Sequence, residues 1–134
     1  MNVTKTAVAF EVVSTLGFAD AVARAREELA REGFGVLTEI DVQATFKKKL
    51  DVHVEPFIIL GACHPPSAHK ALTAVPEVGV LLPCNVTISV ERGATIVRAM
   101  NPAAVMGILE NPSLAEVGEQ VGAALQRVVG NCRG

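Results

Sequence analysis

Two cysteines stand in surroundings that could support chemistry. Cys63 is followed by His64 and then by two prolines, and Cys84 stands between Pro83 and Asn85. A thiolate is a nucleophile, and the N-terminal end of a helix lowers a thiol pKa and attracts anions through its dipole and its free N–H groups. We expect a strand to end at Cys63 and a helix to begin just after it. Cys63 is therefore the stronger candidate nucleophile.

The two cysteine segments also form one candidate ligand pocket. If they belong to neighbouring antiparallel strands, Cys63, His64, Cys84 and Asn85 lie close together. The alternative is that both thiols are small buried core residues, which is the more frequent outcome for unpaired cysteines. Cys132, near the last residue of the sequence, is expected to be exposed and to have no role.

Metal and cofactor sites are not predicted. His64 and His69 lie near Cys63, yet the sequence has neither a Cys-x-x-Cys nor a His-Glu-x-x-His pattern, and zinc sites usually contain such paired ligands. Gly61 belongs to no glycine pattern of a phosphate loop, and a glycine inside a strand more often indicates close backbone packing. The sequence therefore predicts no cofactor.

Charge and composition argue against several function classes. The 134 residues carry a net charge of −2, which leaves no basic surplus for a nucleic-acid backbone, and the lack of tryptophan and tyrosine removes the usual base-stacking surface. No stretch approaches the roughly 20 apolar residues that a transmembrane helix needs. Residues 1–10 lack the pattern of a signal peptide, and the odd number of cysteines fits a reducing compartment. We therefore expect a cytoplasmic protein that binds neither nucleic acid nor membranes.

Apolar periodicity predicts the strands that would position the cysteines. Alternating apolar residues predict five strands, at residues 8–13, 34–41, 57–63, 80–91 and 94–100. The third is almost continuously apolar, which is typical of a central strand. Cys84 falls in the register of the core-facing residues of the fourth strand, and Arg92-Gly93 forms the turn of a hairpin.

Helical spacing of apolar residues predicts a helix after each of the first three strands. The first begins near Phe18 and ends at Gly33, which we expect to be left-handed. The second covers residues 42–50 with Asp41 as its N-cap, and the third covers residues 67–75. The second and third are short helices inserted between strands.

A long C-terminal helix is predicted to cover the sheet. It follows Asn111-Pro112 and has the spacing of a capping box at Ser113 and Glu116. Its apolar stripe consists of Leu114, Val117, Val121, Leu125 and Val128. The order strand, helix, four strands, helix predicts one α+β domain over residues 1–134, with a mostly antiparallel sheet covered on one face. The alternative is a ferredoxin-like or mixed open sheet, because a strand-helix-strand unit normally makes a parallel crossover.

Several segments carry a resemblance to a known family. They are residues 33–42 (GFGVLTEIDV), 46–50 (FKKKL), 59–65 (ILGACHP), 68–72 (AHKAL) and 79–86 (GVLLPCNV). Together they resemble the uncharacterised proteins numbered 302 among the domains of unknown function, and the resemblance spans almost the whole chain. His64 departs from the family pattern, in which asparagine is expected.

The resemblance implies a TATA-binding-protein-like α+β fold, in which a long helix packs on a curved antiparallel sheet. It also implies a homodimer and no DNA binding, and it brings no catalytic residue. Three hypotheses for the function follow. The chain is a small dimeric protein that binds an anionic or sulfur-containing ligand near Cys63 and Cys84; it is a thiol enzyme or persulfide carrier that uses Cys63; or it is an interaction module without a site.

Overall fold

Six strands form one antiparallel sheet in the computed structural model, which describes residues 3–134. The strands are β1 (Thr4–Lys5), β2 (Ala9–Ser14), β3 (Gly35–Asp41), β4 (Phe57–Cys63), β5 (Cys84–Glu91) and β6 (Ala94–Met100). Their order across the sheet is β1-β2-β6-β5-β4-β3, and each neighbouring pair is antiparallel. The prediction of an antiparallel sheet is confirmed, whereas the number of five strands was wrong. β1 has two residues, too few to produce an alternating pattern. The first two residues of the predicted domain lie outside the described part.

Within the described residues there are five α-helices and two 3₁₀ turns. The helices are α1 (Phe18–Arg31), α2 (Val42–Leu50), α3 (Pro65–Ala74), α4 (Pro102–Met106) and α5 (Pro112–Asn131), and the turns are Pro76–Leu81 and Gly107–Leu109. The predicted helix ends at Asp41 and Gly33 are confirmed. Oδ1 of Asp41 accepts a hydrogen bond from the N–H of Ala44 at 2.9 Å, and Gly33 has a φ of 84°. These helix ends fix where β3 begins and ends.

The alternative of a mixed sheet was wrong. β2 and β3 run in the same direction, but β6, β5 and β4 lie between them. α1 therefore crosses the sheet from one side to the other instead of joining two neighbouring parallel strands. As a result, β3 is the edge strand of the sheet, and β4 is its one neighbouring strand among the described residues.

The predicted capping box of the C-terminal helix was also wrong, although the helix itself begins at Pro112 as expected. The N-cap is Asn111, whose Oδ1 accepts hydrogen bonds from the N–H groups of Ser113 (2.9 Å) and Leu114 (3.2 Å). Because proline is favoured at the first helical position, the helix has already begun when Ser113 is reached. The cap therefore lies two residues before the predicted one.

The core lies between one face of the sheet and the helices α1 and α5. Leu60, Val86, Ile88 and Val97 from the sheet are fully buried, as is Leu29 from α1. The predicted apolar stripe of α5 is confirmed, because its five residues all belong to the core cluster. Burial of these side chains removes apolar surface from water, which is the main favourable term in folding.

Cys132 contradicts its prediction, because it is fully buried. The carbonyl of Cys132 accepts a hydrogen bond from Ser14 Oγ at 2.6 Å, and the N–H of Thr15 donates to the carbonyl of Arg133 at 2.8 Å. These bonds attach the residues after α5 to the end of β2. Position near the end of the sequence was a poor guide to exposure, because burial depends on what the backbone packs against.

β5 begins later than predicted. Residues Pro76–Leu81 form a 3₁₀ turn rather than the start of the strand, and Cys84 is the first strand residue. The peptide bond between Leu82 and Pro83 is cis. Cys84 has the predicted core register, since it is buried with Val86 and Ile88 on the same face. The hairpin turn at Arg92 and Gly93 is also confirmed, and it joins β5 to β6.

Candidate functional site

A cavity of about 320 Å³ lies where β4 passes into α3. Its walls come from β3, β4 and the segment before β5, from α3 and α5, and from Met106 of α4. The apolar lining residues are Phe34, Leu37, Ala62, Ala68, Ala71, Leu72, Leu82, Pro83, Met106, Val117 and Val121, and the others are Thr38, Cys63, His64, Ser67 and Cys84. The volume falls at the lower end of the range for small-molecule sites, and an apolar lining with a few polar groups is typical of them.

The pairing of β4 with β5 brings Cys63 and Cys84 to this cavity. Ala62 lies directly opposite Cys84, so Cys63 is one residue further along β4. Cys84 is buried, with 5 % of its surface exposed, and Cys63 is half-buried. Both line the cavity, as does His64. The structure therefore places three of the four predicted site residues around one space.

His64 is held in a defined position beside the cavity. Its Nδ1 lies 2.8 Å from Oγ of Ser67, one turn along α3. Its ring is tilted by 52° against the ring of Phe34, with 5.5 Å between the centroids. A Cβ atom at Gly33 would lie 3.2 Å from Cδ2 of the imidazole, so the glycine leaves room for the ring. The ring is thus fixed by contacts with three neighbours.

The N-terminal end of α3 offers few donors to an anion beside Cys63. Pro65 and Pro66 occupy the first helical positions and have no N–H groups. The N–H of Ala68 donates to the carbonyl of His64 at 2.9 Å. Of the described residues that line the cavity, none is a lysine or an arginine. The helix end therefore gives an anion at this position little of the stabilisation that free N–H groups usually provide.

The two buried thiols are poor nucleophiles. Burial raises the pKa of the Cys84 thiol to about 11, and the neighbouring Cys63 contributes to the increase. Burial also raises the pKa of Cys132 to about 12, and Glu28 adds to this effect. Since the thiolate is the reactive form, both side chains are protonated and unreactive at neutral pH. Any thiol chemistry in the cavity would depend on Cys63.

Asn85, the fourth predicted site residue, is exposed and is not among the lining residues. It lies opposite Gly61 in the pairing of β4 with β5. A Cβ atom at Gly61 would overlap Oγ1 of Thr38 and would lie 2.8 Å from Cγ of Pro83. The expectation that Gly61 marks close packing is confirmed, because a side chain here would collide with two residues that line the cavity.

A smaller, more polar space of about 210 Å³ adjoins the cavity, and we call it the polar annex. It is defined by Glu32, Gln120 and Arg127, together with Ala124 and with four residues that also line the cavity: Phe34, His64, Ser67 and Val121. Arg127 and Glu32 form a two-bond ion pair, with Nη2 to Oε1 at 2.8 Å and Nε to Oε2 at 3.1 Å. The hydrogen bond from Arg127 lowers the pKa of Glu32.

Metal sites and membrane-spanning helices concern the described residues 3–134 as a whole. No group of three or more histidine, cysteine, aspartate or glutamate side chains is arranged to hold a metal ion in this part of the chain. None of the helices that the structure describes is both long and apolar enough to span a membrane.

Sequence reasoning missed the residues that give the cavity its shape. Met106, Val117 and Val121 reach it from α4 and α5, which are distant from the cysteines in sequence. Leu37 lines it at a register shift between β3 and β4, where the residue has no direct partner. One signal was present: Ala68 and Ala71 in α3 are small, and small side chains on a helix leave space beside it.

Comparison with known proteins gives a family and a fold. The model of the family described as "Domain of unknown function DUF302" matches residues 10–132. A solved structure, the crystal structure of the uncharacterized conserved protein DUF302 from Bacillus stearothermophilus, is similar, with a TM-score of 0.88 and 29 % sequence identity. The match covers 93 % of this chain and 98 % of that one. No curated protein matches the chain.

Proposed function

We infer the function from the cavity, because the chain belongs to the family described as Domain of unknown function DUF302 and that description names no activity. We propose that the chain binds a small, mainly apolar molecule beside Cys63 and Cys84. The observation that carries the proposal is the cavity of about 320 Å³ with its apolar lining. At roughly 30 Å³ for each non-hydrogen atom, it has room for about ten of them.

The lining favours the sulfur-containing ligand over the anionic one. Three sulfur-containing residues, Cys63, Cys84 and Met106, line the cavity. Sulfur is polarizable and makes favourable contacts with aromatic rings, so thioethers and aromatic compounds suit this surface. A free anion would lose its hydration without gaining a cationic partner in the cavity, which costs free energy. We therefore propose a polarizable, uncharged body for the ligand.

A cavity-filling variant tests this proposal. Thioanisole is a suitable probe, since it combines a thioether with an aromatic ring and is small enough for the space. Ala68→Leu places a larger side chain in the cavity and should weaken thioanisole binding at least about tenfold, as measured by titration followed by NMR. Ala74→Leu is the matched control, because Ala74 lies on the same helix but is exposed and does not line the cavity. Equal binding by both variants would place the ligand elsewhere.

A thiol enzyme or persulfide carrier is the second candidate, and one observation favours it. Of the three cysteines, Cys63 alone is not fully buried, and it borders the cavity. As a carrier, its thiolate would attack the outer sulfur of a persulfide R–S–SH, form Cys63–S–SH and release R–S⁻. The reaction needs a small persulfide of the kind the cavity could hold. The rate at which Cys63 reacts with iodoacetamide in the folded chain, compared with the unfolded chain, decides between this candidate and simple binding.

An interaction module without a site explains the structure less well. The cavity of about 320 Å³ is partly open to solvent, and its lining includes the exposed side chains of Leu37 and Leu72. An apolar concave surface of this size with a few polar groups is typical of small-molecule sites, so it favours a binding function. The net charge of −2 also supports the proposal that nucleic acid is not a partner.

We further propose that two copies of the chain pair along β3. β3 ends the sheet, so one side of its backbone has no strand neighbour among the described residues. Four apolar side chains are exposed on β3 and α2: Leu37, Ile40, Phe46 and Leu50. Free strand edges with apolar residues favour pairing with another strand, and antiparallel pairing of two identical edges gives a two-fold symmetric dimer.

Light scattering after gel filtration tests the dimer. Ile40→Lys and Phe46→Lys should each convert the chain to a monomer at micromolar concentration. Lysine at the strand edge opposes pairing of β3, and lysine in place of Phe46 on α2 would bury an unpaired charge in the interface. Val13→Lys is the control, since Val13 is 58 % exposed but lies on β2, and three strands separate β2 from β3 in the sheet. A chain that is monomeric without any substitution would refute the dimer and leave the cavity proposal unaffected.

A further inference from the structure

The cavity and the polar annex are neighbours with a shared wall. Phe34, His64, Ser67 and Val121 line both spaces. A ligand that fills the cavity can therefore contact His64 and Ser67, which also border the annex. The annex differs from the cavity in its chemistry, because it adds Glu32, Gln120 and Arg127 to the shared residues.

The charges of the annex cancel each other. Arg127 and Glu32 are joined by two hydrogen bonds, at 2.8 and 3.1 Å. The pair is partly exposed, with 53 % of the Arg127 side chain and 23 % of the Glu32 side chain accessible. A negative head group at the annex would be repelled by the carboxylate of Glu32, and a positive head group would be repelled by the guanidinium of Arg127. Neither sign of charge is favoured, and either would lose hydration beside the apolar cavity.

The shared wall contains a hydrogen-bonding pair that suits an uncharged group. Nδ1 of His64 and Oγ of Ser67 are 2.8 Å apart. If Nδ1 accepts a hydrogen bond from the hydroxyl of Ser67, the serine oxygen can still accept a hydrogen bond from a ligand. If Nδ1 is protonated and donates a hydrogen bond to Oγ, the hydroxyl of Ser67 is free to donate one to a ligand. The pair can therefore match a ligand hydroxyl or amide in either direction.

We propose that the ligand is an uncharged amphiphile: an apolar body of about ten non-hydrogen atoms in the cavity, with a neutral hydroxyl or amide head group at His64 and Ser67. This inference rests on the proposed function and adds the chemical class of the ligand. It differs from the sequence-based hypothesis of an anionic ligand, because the two charges at the annex are already paired.

Three probes with nearly the same body and different head groups test the inference. They are 2-phenylethanol, phenylacetate and 2-phenylethylamine, with thioanisole as a probe that lacks a head group. At pH 7 the alcohol should bind at least about fivefold more tightly than the acid and the amine, a ratio that corresponds to one weak exposed charge interaction. Calorimetric titration of the full chain measures all four affinities.

Substitution of one member of the ion pair should shift the preference in a predictable direction. Glu32→Gln removes the negative charge and should improve phenylacetate binding about fivefold, while the affinity for 2-phenylethanol stays the same. Arg127→Gln removes the positive charge and should improve 2-phenylethylamine binding about fivefold, again with no change for 2-phenylethanol. Glu119→Gln is the control, since Glu119 is exposed on α5 and does not border the annex. A merely structural role of the ion pair would change all affinities together and would leave the acid-to-alcohol ratio unchanged.

The outcomes separate the two proposals. If thioanisole binds but phenylacetate binds as tightly as 2-phenylethanol, the inference about the head group is refuted and the binding function stands. If none of the four probes binds, both are refuted. If Glu32→Gln leaves the acid-to-alcohol ratio unchanged, the annex does not contact the head group and the inference is likewise refuted.

Discussion

The three thiols should react with iodoacetamide at very different rates, because they differ in burial and because the pKa values of Cys84 and Cys132 are raised. The pKa of Cys84 is raised to about 11 and that of Cys132 to about 12, from an ordinary value of 9.0. At pH 8 a thiol with the ordinary value is about 9 % thiolate, Cys84 about 0.1 % and Cys132 about 0.01 %. The loss of thiolate alone therefore slows Cys84 by about 100-fold and Cys132 by about 1,000-fold.

Mass spectrometry of peptides after timed labelling measures the three rates in one sample. Cys63 should be labelled first, since it is the one cysteine of the three that is not fully buried. The labelling rate of Cys84 should rise about tenfold for each pH unit until the pH approaches its pKa of about 11. Chain unfolded in urea is the control, because all three thiols then have ordinary pKa values and should react alike.

Two results would refute this reasoning. A labelling rate of Cys84 within about tenfold of the rate of Cys63 at pH 8 would contradict both the burial and the raised pKa of the Cys84 thiol. If Cys63 in the folded chain reacts much faster than in the unfolded chain, its environment activates the thiol, and the persulfide carrier becomes the better candidate. Protection of Cys63 by thioanisole would connect its exposure to the cavity and support the binding function.

Three further predictions concern stability. Gly61→Ala should destabilise the fold by about 1–3 kcal/mol in urea unfolding, because its Cβ would overlap Thr38, and Thr38→Ala should recover part of this loss. Glu91 has a pKa lowered to about 2 by its hydrogen bonds from Arg98 and Ser89, so its contribution is complete above pH about 4.5 and is lost as the pH falls toward 2. Glu91→Gln should therefore lower the free energy of unfolding by about 1 kcal/mol at pH 7, a value reduced because the ion pair is exposed. Plotted against pH, the unfolding free energies of the unsubstituted chain and the variant should meet near pH 2. Curves that stay apart at that pH would contradict the prediction. Leu125→Ala should cost about 2–5 kcal/mol, whereas Ile108→Ala, at a position that is 75 % exposed and outside the proposed dimer surface, should change stability by less than about 0.5 kcal/mol.

The parts of the fold that the sequence predicted correctly are those governed by short-range rules. The bounds of α2 depend on a local cap at Asp41 and on helical spacing, and those of β4 on a continuous apolar run. The register of Cys84 depends on simple alternation. By contrast, β1 is too short for any periodic signal, and the end of α5 is buried by contacts with Ser14, more than a hundred residues earlier. Such long-range contacts leave no pattern in the local sequence.

The candidate site was predictable in part for the same reason. Cys63 and Cys84 were expected to be neighbours because an antiparallel β4–β5 pair requires it, and the register confirms this. The polar annex was not predicted, because Glu32 follows α1 and Arg127 lies near the end of α5. The missing donors of Pro65 and Pro66 could have been read from the sequence, since proline has no N–H group. The two prolines alone therefore argue against an anion beside Cys63.

The position of β2 has a consequence for how the chain acquires its structure during synthesis. β2 is made early, but its long partner is β6, which pairs Phe10 with Ala99, and its other neighbour is the two-residue β1. While the ribosome is still producing the middle of the chain, β2 has only β1 to pair with, and its apolar residues are available to other chains. Contacts between such distant residues slow folding and prolong exposure to aggregation. Of the longer strands, β2 is therefore the one whose apolar residues wait longest for a long partner.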